Sequence, residues 1–497
     1  MKKSFIYLTV AASLLSVGCS DDFLDPQRDT SVISTRDIAE FSPDNPDLII
    51  GTLEGIYSYM MNDRSITTQH FEFGQKGIDI WTDMVSGDMA LKGSGYGWYD
   101  NTANLLVTTD YTRLENRIIW QYYYKVISSA NEVIASVGGN DASPEDETIR
   151  YTLGQAKALR AYGYFYLAQL LQRGYDANQP ILPFIDGDVN IPSKVPASRI
   201  YESIVGDLNS AITLLDGYNR DAKHKVNKSV AQGLLAYTYA AMGDYQNARL
   251  MADAVITTGG FPLTTRAQSA YPGAGSGFND AATASWMWGY DITEAMGQQL
   301  INWWGQMDYY TYSYQSAGDY KVIDDALYAQ IPANDIRKSQ FSTTAGDTYL
   351  MPLNKFFDPA RQFQQQYIIS TDYIYMRVDE MYLLSAEAAA KSGDEAAAKA
   401  RLVELLSLRY ATAAQAQDYA NPLSGQALQD AIYLQTRIEF WGEGKTYLAL
   451  KRNRATITRG TNHLFRAGQT FSYNQDELSF QIPQLEMNNN PAITEQN

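Results

Sequence analysis

The residues of this 497-residue chain whose side chains could do chemistry are few: three histidines, one cysteine and a large stock of tyrosine and tryptophan. His70, His224 and His463 are scattered, with no partner at the spacing of a metal site or a Ser-His triad. GSGYG (93–97) and GAGSG (273–277) are glycine-rich, but no Gly-Lys-Ser/Thr follows either, so neither reads as a phosphate loop. IDIWTDMVSGD (78–88) supplies Asp79, Asp83 and Asp88. Two carboxylates across a cleft would make a glycosidase pair. In a chain this acidic the three are expected instead to satisfy loop amides or sugar hydroxyls. No catalytic residue and no metal ligand is assigned.

Aromatic side chains are the remaining resource. A pyranose ring has an apolar C–H face and an equator of hydroxyls; flat Trp and Tyr rings suit the first, and Asp, Asn, Gln and Arg suit the second. Rigid rings also lose little entropy on binding. Two segments have this composition. The first runs from Trp81 to Asn101 and includes KGSGYGWYDN, with Tyr96, Trp98, Tyr99 and Asn101. The second is the insertion from Trp286 to Tyr314, with Trp286, Trp288, Trp303, Trp304 and Tyr309 as its candidates. The glycines around Tyr96 and Trp98 predict an exposed loop. Any of these rings could equally be core, as Trp120 and Trp441 are expected to be.

The elements that must position these rings are mostly helical. Residues 150–172 place Leu153, Ala156, Leu159, Gly163, Tyr166, Leu167 and Leu170 at spacings of three and four, which predicts one apolar helix face. Residues 120–136 and 200–216 are patterned likewise. An internal repeat then appears in LLAYTYAAMGDYQNARLMADAVI (234–256) and LLSAEAAAKSGDEAAAKARLVELL (383–406). Each has an Ala/Leu helix, a Gly-Asp turn (Gly243-Asp244; Gly393-Asp394) and a second helix with alanine five residues after the glycine (Ala248; Ala398). This is the helix–turn–helix layout of tetratricopeptide repeats. The copies lie too far apart for adjacent repeats, so a large insertion separates them. Insertions between repeats usually carry binding loops, and this one holds the densest aromatic run in the chain.

The N-terminus fixes a compartment. Lys2 and Lys3 precede an apolar run, Phe5 to Val17, too short to span a bilayer permanently. It ends at Gly18-Cys19, which reads as a bacterial lipoprotein site, with Leu15 one place early; Cys19 becomes the lipidated residue. With Cys19 acylated, no thiol is left for a disulfide, a metal or a nucleophile. The formal charge of −17 makes nucleic acid a poor partner.

Six motifs in order make the sequence resemble the SusD/RagB family of Bacteroidetes outer-membrane lipoproteins. They are CSDDFLDPQ after the leader, GQAKALRAYGYFYLAQL, AQGLLAYTYAAMGDYQNARLMADAVITTGGFPL, YMRVDEMYLLSAEAAAKSGD, RIEFWGEGKTYLALKR (437–452) and FQIPQLEMNNNP (480–491). Lys445 and Ala449 depart from the family's usual arginine and aspartate. The 437–452 segment is expected to be a structural helix, with Glu439 and Glu443 one turn apart and Arg437, Lys445 and Arg452 as nearby partners.

The resemblance implies a mostly α SusD-like fold, with tetratricopeptide-type repeats and a large irregular aromatic-rich insertion. The implied layout is a signal peptide at 1–18, a lipidated cysteine and tether at 19–45, and a single domain at 46–497. Within it, repeats fall at about 115–260 and 372–455, with the ligand-binding insertion at about 261–371. Asp21 and Asp22 resemble the family's signal for export to the cell surface. The implied function is capture of an oligosaccharide, without enzymatic activity or cofactor, for a SusC-like TonB-dependent outer-membrane transporter. Lipid would be the anchor. Peptide capture is the alternative, because some family members serve protein nutrients.

Overall fold

The computed structural model describes residues 46–497; the leader, Cys19 and the tether fall outside the described residues. The chain opens with α1 (Pro46–Met61), α2 (Gln75–Val85) and the short strand β1 (Met89–Leu91). Two long helices follow, α3 (Leu114–Ser136) and α4 (Glu147–Leu171), then the hairpin β2 (Pro180–Ile185) and β3 (Asn190–Pro196). After these come α5 (Ala197–Leu214), α6 (Lys228–Met242) and α7 (Tyr245–Thr258). A loop-rich insertion carries β4 (Trp286–Tyr290) and β5 (Lys321–Ile323) and closes at β6 (Tyr373–Arg377), which leads directly into α8 (Val378–Lys391). The chain continues through α9 (Glu395–Leu406), α10 (Gly425–Glu439) and α11 (Thr446–Arg452). Among the described residues no helix is long and apolar enough to cross a membrane.

Each helix from α3 to α7 packs on the next, and so do α8 and α9. Helix α7 also packs on α8, although the insertion separates them in sequence. The helical array is therefore continuous, and the insertion leaves it between α7 and α8. Local chemistry explains the two matching hairpins. Gly243 and Gly393 adopt φ of 81° and 85°, where a side chain would be strained. Asp244 and Asp394 each cap the following helix by accepting from the backbone N–H of Asn247 and Ala397. Ala248 and Ala398 are fully buried where the helices meet. Arg249 Nη1 reaches Asp394 Oδ2 at 2.8 Å, joining one hairpin to the other.

Helix α4 differs from its sequence pattern. Residues 152–171 are buried all round and not on a single face. Helices α3 and α5 cover α4 on two sides, with α1 and β2 also against it, so its polar residues must find partners inside. Arg160, for example, forms a two-pronged pair with Asp207, both bonds at 2.7 Å.

The acidic segments also depart from expectation. Helix α10 ends at Glu439, and Gly442 and Gly444 at φ 80° and 72° turn the chain before α11. Glu439 and Glu443 are therefore not on one helix. Their partners come from elsewhere: Glu439 meets Arg337, Arg377 and Arg409, and Glu443 meets Arg377 and Lys355. Burial pushes the Glu439 carboxyl up, but Arg409, Arg377 and Arg337 outweigh it and hold the group well below the usual range. Arg437 pairs with Asp88, Lys445 approaches Glu380, and Arg452 pairs with Glu387. Such a cluster contributes registry more than net stability, since desolvation offsets much of the attraction. Here it fixes the insertion (Arg337, Lys355) and β6 (Arg377) against α10.

Asp79 and Asp83 lie on buried α2, and Asp88 just beyond it, also buried, so none reaches a sugar. Asp79 pairs with Lys76, and Asp83 accepts from Gly444 N and Thr446 Oγ1. Burial pushes the Asp83 carboxyl up to about 8.

Candidate functional site: an aromatic band on three loops

Strand β1 pairs antiparallel with β5, placing Leu91 opposite Lys321. The pairing runs on past the strands. Lys92 N donates to Tyr320 O (2.8 Å), Tyr320 N to Gly93 O (3.0 Å) and Gly95 N to Gly318 O (3.1 Å). Glycine at 93 is required by this approach: a Cβ there would lie 2.7 Å from the Tyr320 ring and 2.9 Å from Gly318 O. The loop bearing Tyr96 and Trp98 is thus fastened to the insertion, and Asp319 Oδ1 accepts from Tyr96 N at 2.8 Å.

Tyr96 stands on this loop, 58% exposed, with its ring edge-on to Tyr314 (4.9 Å between centroids). Trp98 is half-buried and stacks on His70 at 4.6 Å and 13°. Tyr314 and His70 share a hydrogen bond, so the indole rests on an anchored imidazole. Burial and Arg64 lower the His70 pKa, with Asp63 opposing, which favours the neutral ring as the stacking partner.

The second loop is the turn at 308–314. Buried Asp308 organises it, accepting from the backbone N–H of Tyr310, Thr311 and Asp358. Burial pushes this carboxyl up to about 6, against those hydrogen bonds. The third loop, residues 361–368, lies alongside, with Tyr312 N donating to Gln366 O. Tyr312 stacks on Tyr367 (4.8 Å, 27°), and Tyr309 packs on Phe363 (4.9 Å). Tyr96, Tyr312, Phe363 and Tyr367 are all exposed, and Trp98, Tyr309 and Tyr320 are half-buried among them. Together they form an aromatic band carried by loops that the fold holds in place.

The structure separates the sequence candidates. Tyr96, Trp98 and Tyr309 belong to the band, and Asn101 is half-buried in the short turn of helix that follows the loop. Trp81, Tyr99, Trp286, Trp288, Trp303 and Trp304 are each at most 2% exposed and are core residues, a correction to their expected place on the binding face. The reason is local. Trp286 and Trp288 lie on β4, which pairs with β6 and is covered from both sides. Trp288 Nε1 donates to His224 O at 2.7 Å and its ring meets Tyr162 edge-on. Trp304 Nε1 donates to Asp372 O, and Trp303 packs on Trp304 and Phe356. Trp81 lies edge-on to Phe71. Tyr99 lies beneath the site, with the Lys321 ammonium 4.5 Å from its ring centre.

Tyr312 falls within the second candidate segment but was not singled out, and Phe363, Tyr367 and the supporting His70 were missed. For Phe363 the signal was present in RQFQQQY (361–367), where the ring lies between glutamines with no adjacent apolar residue to be buried with; Tyr367, followed by Ile368 and Ile369, carries no such signal.

Two family models match successive parts of the chain. The SusD family model matches residues 284–497, and a SusD-like model described as starch-binding associating with outer membrane matches residues 64–240. The chain belongs to the SusD-like family. Solved structures share its fold. A SusD-like carbohydrate binding protein from Bacteroides vulgatus is 21% identical, with a TM-score of 0.73 over 90% of this chain and 96% of its own. A putative sugar binding protein from the same species is 24% identical, with a TM-score of 0.69 over 91% and 98%. Surface glycan-binding protein A from Bacteroides uniformis is 17% identical, with a TM-score of 0.67 over 91% and 99%. No curated protein matches the chain in sequence.

Proposed function

We propose that this protein is a cell-surface lipoprotein that captures an oligosaccharide on the aromatic band and delivers it to a SusC-like TonB-dependent transporter of the outer membrane. The observation that carries the reading is the exposure of Tyr96, Tyr312, Phe363 and Tyr367 on three loops, the first hydrogen-bonded to residues 318–320 of the insertion and the other two to each other. A monomeric surface rarely shows so many rings together unless they meet a ligand, and preformed rings suit the C–H faces of sugars. Gln365, exposed on the loop that carries Phe363 and Tyr367, offers an amide as a hydroxyl partner. The carbohydrate-binding and glycan-binding names of the structural neighbours support the same ligand class. The protein acts by binding and needs no cofactor, since the transporter supplies the energy. Cys19 carries the lipid anchor, and residues 19–45 form the tether.

Calorimetry of the full chain in detergent, against plant, host and microbial oligosaccharides and mixed peptides, tests the reading. Saturable heat with one glycan class, lost in Trp98→Ala, is the expected result. Heat with peptides alone would replace glycan capture with peptide capture. Membrane fractionation tests the anchor separately: Cys19→Ala should leave the membrane fraction, and equal retention would remove the lipoprotein assignment.

A further inference from the structure

Beside the aromatic band lies an open cavity of about 710 Å³. Arg361 belongs to both. Its guanidinium lies 4.4 Å from the ring of Tyr310, which is edge-on to Tyr309 of the band, and 3.9 Å from that of Tyr271. On the cavity side it shares the wall with Arg266, Tyr328, Lys338, Thr344 and Asn354.

The charge of this wall is unusual for the chain. Across the sequence 56 acids outnumber 39 lysines and arginines, yet the cavity is lined by three cations and one carboxylate. That carboxylate, Asp335, is buried and held by Arg337 at 2.6 Å. Among the described residues none of the three cations has a carboxylate partner. Lys338 Nζ donates to Ile331 O (2.6 Å), and Arg266 donates to the Arg409 carbonyl. Arg361 donates to Leu353 O (2.8 Å), Asn354 Oδ1 (3.1 Å) and the Tyr310 hydroxyl. Neutral oxygens orient these groups and leave their charge uncancelled. The buried arginines at 337, 377 and 409 show the opposite arrangement, each matched to carboxylates.

The remainder of the wall suits a sugar. Thr343, Thr344 and Asn354 offer hydroxyl and amide groups, and Tyr328 and Phe341 meet edge-on and give it an aromatic side. The volume is that of a small-ligand pocket. We propose that this cavity is a subsite for an anionic sugar unit, carrying a carboxylate or a sulfate ester, so that the glycan captured on the adjoining band is acidic. The inference rests on the glycan-capture reading and narrows it.

Affinity electrophoresis of the full chain in detergent tests it. Gels would contain neutral polymers (galactan, xylan, laminarin) or acidic ones (polygalacturonate, alginate, unsulfated chondroitin, chondroitin sulfate). The expected result is retardation by an acidic polymer that weakens as salt rises. Retardation by chondroitin sulfate without unsulfated chondroitin would assign a sulfate; retardation by the unsulfated polymers would assign a carboxylate. Lys338→Gln and Arg361→Gln should each weaken retention about tenfold, the scale of a lost charged hydrogen bond. Arg361→Lys should recover part of it, and thermal melts would show which variants are folded. Retardation by neutral polymers alone overturns the acidic subsite and leaves glycan capture standing. Acidic retention unchanged in folded Lys338→Gln and Arg361→Gln also overturns it. Retardation in no gel, with no heat from any sugar, removes glycan capture itself.

Discussion

Two aromatic groups of the same insertion have opposite fates. Trp286, Trp288, Trp303 and Trp304 are 0–2% exposed, whereas Tyr312, Phe363 and Tyr367 are 43–57% exposed. Ring size does not explain the difference; neighbours do. The tryptophans sit in WMWGY and INWW, where adjacent apolar residues and a paired strand let whole segments sink into the core. The exposed rings sit in TYSY and FQQQYII, where Tyr312 and Phe363 have only polar immediate neighbours and Tyr367 is followed by Ile368, itself 41% exposed. The indoles fasten the insertion to the helical array, and the phenols and Phe363 cover its outer side. An aromatic count alone cannot separate anchoring from binding.

The strongest way to break this comparison is to remove an anchor. Trp304→Ala should cost about 3–5 kcal/mol in urea denaturation, the usual range for emptying a large buried aromatic site, with sugar affinity of the folded fraction unchanged. A variant with unaltered stability and lost affinity would reverse the assignment of the two groups.

Lys321 tests the seam between the regions. It is fully buried beneath the band and donates to Gln306 Oε1, and Gln306 donates to His70 O under Trp98. Burial pulls the Lys321 ammonium down to about 7, against the opposing attraction of Asp319. Unfolded, the group would titrate near its ordinary value of about 10.4. Between those values the unfolded chain holds a proton that the folded chain lacks, so this group's contribution to stability rises with pH. It is flat below the folded value and levels off near the unfolded one. Wild type minus Lys321→Met should therefore climb with pH, by at most about 1.4 kcal/mol per unit, from neutral to mildly alkaline conditions. A flat difference would mean that Lys321 keeps its charge in the folded state.

The legible part of the molecule was the part set by local chemistry. Gly243-Asp244 and Gly393-Asp394 announce their turns because a left-handed glycine and an Asp cap act within a few residues. The exposed tip of the loop at 93–99, residues 95–97, was readable from its glycines, whereas the burial of Tyr99 two residues on was not. Partner choice in the ion cluster was not: Glu439 takes arginines 102, 62 and 30 residues away, which no helix periodicity encodes. The site was half legible. Tryptophan was taken as the stronger sign of stacking, while the glutamines on either side of Phe363, which give that ring no apolar neighbour, drew no notice.

Single removals from the band should have smaller effects than those on the core. Tyr96→Ala should lower glycan affinity about five- to tenfold, as the loss of one stacking face, and alter stability by less than about 0.5 kcal/mol. Loss of stability of the Trp304→Ala size would show that Tyr96 is structural after all.

The smallest effect is expected at Tyr367, and it refines the comparison most. Tyr312 and Tyr367 already stack on each other, so each offers one free face at most. Tyr367→Ala alone should reduce affinity about threefold, because Tyr312 remains to meet the ligand. If a sugar bridges both rings, a double-mutant cycle on glycan binding should show the two losses coupled. Additive losses would mean that the rings contact separate sugar units. No loss from either substitution, or from both together, would confine the site to the Tyr96–Trp98 end and leave the Tyr312–Tyr367 pair as support for the turn.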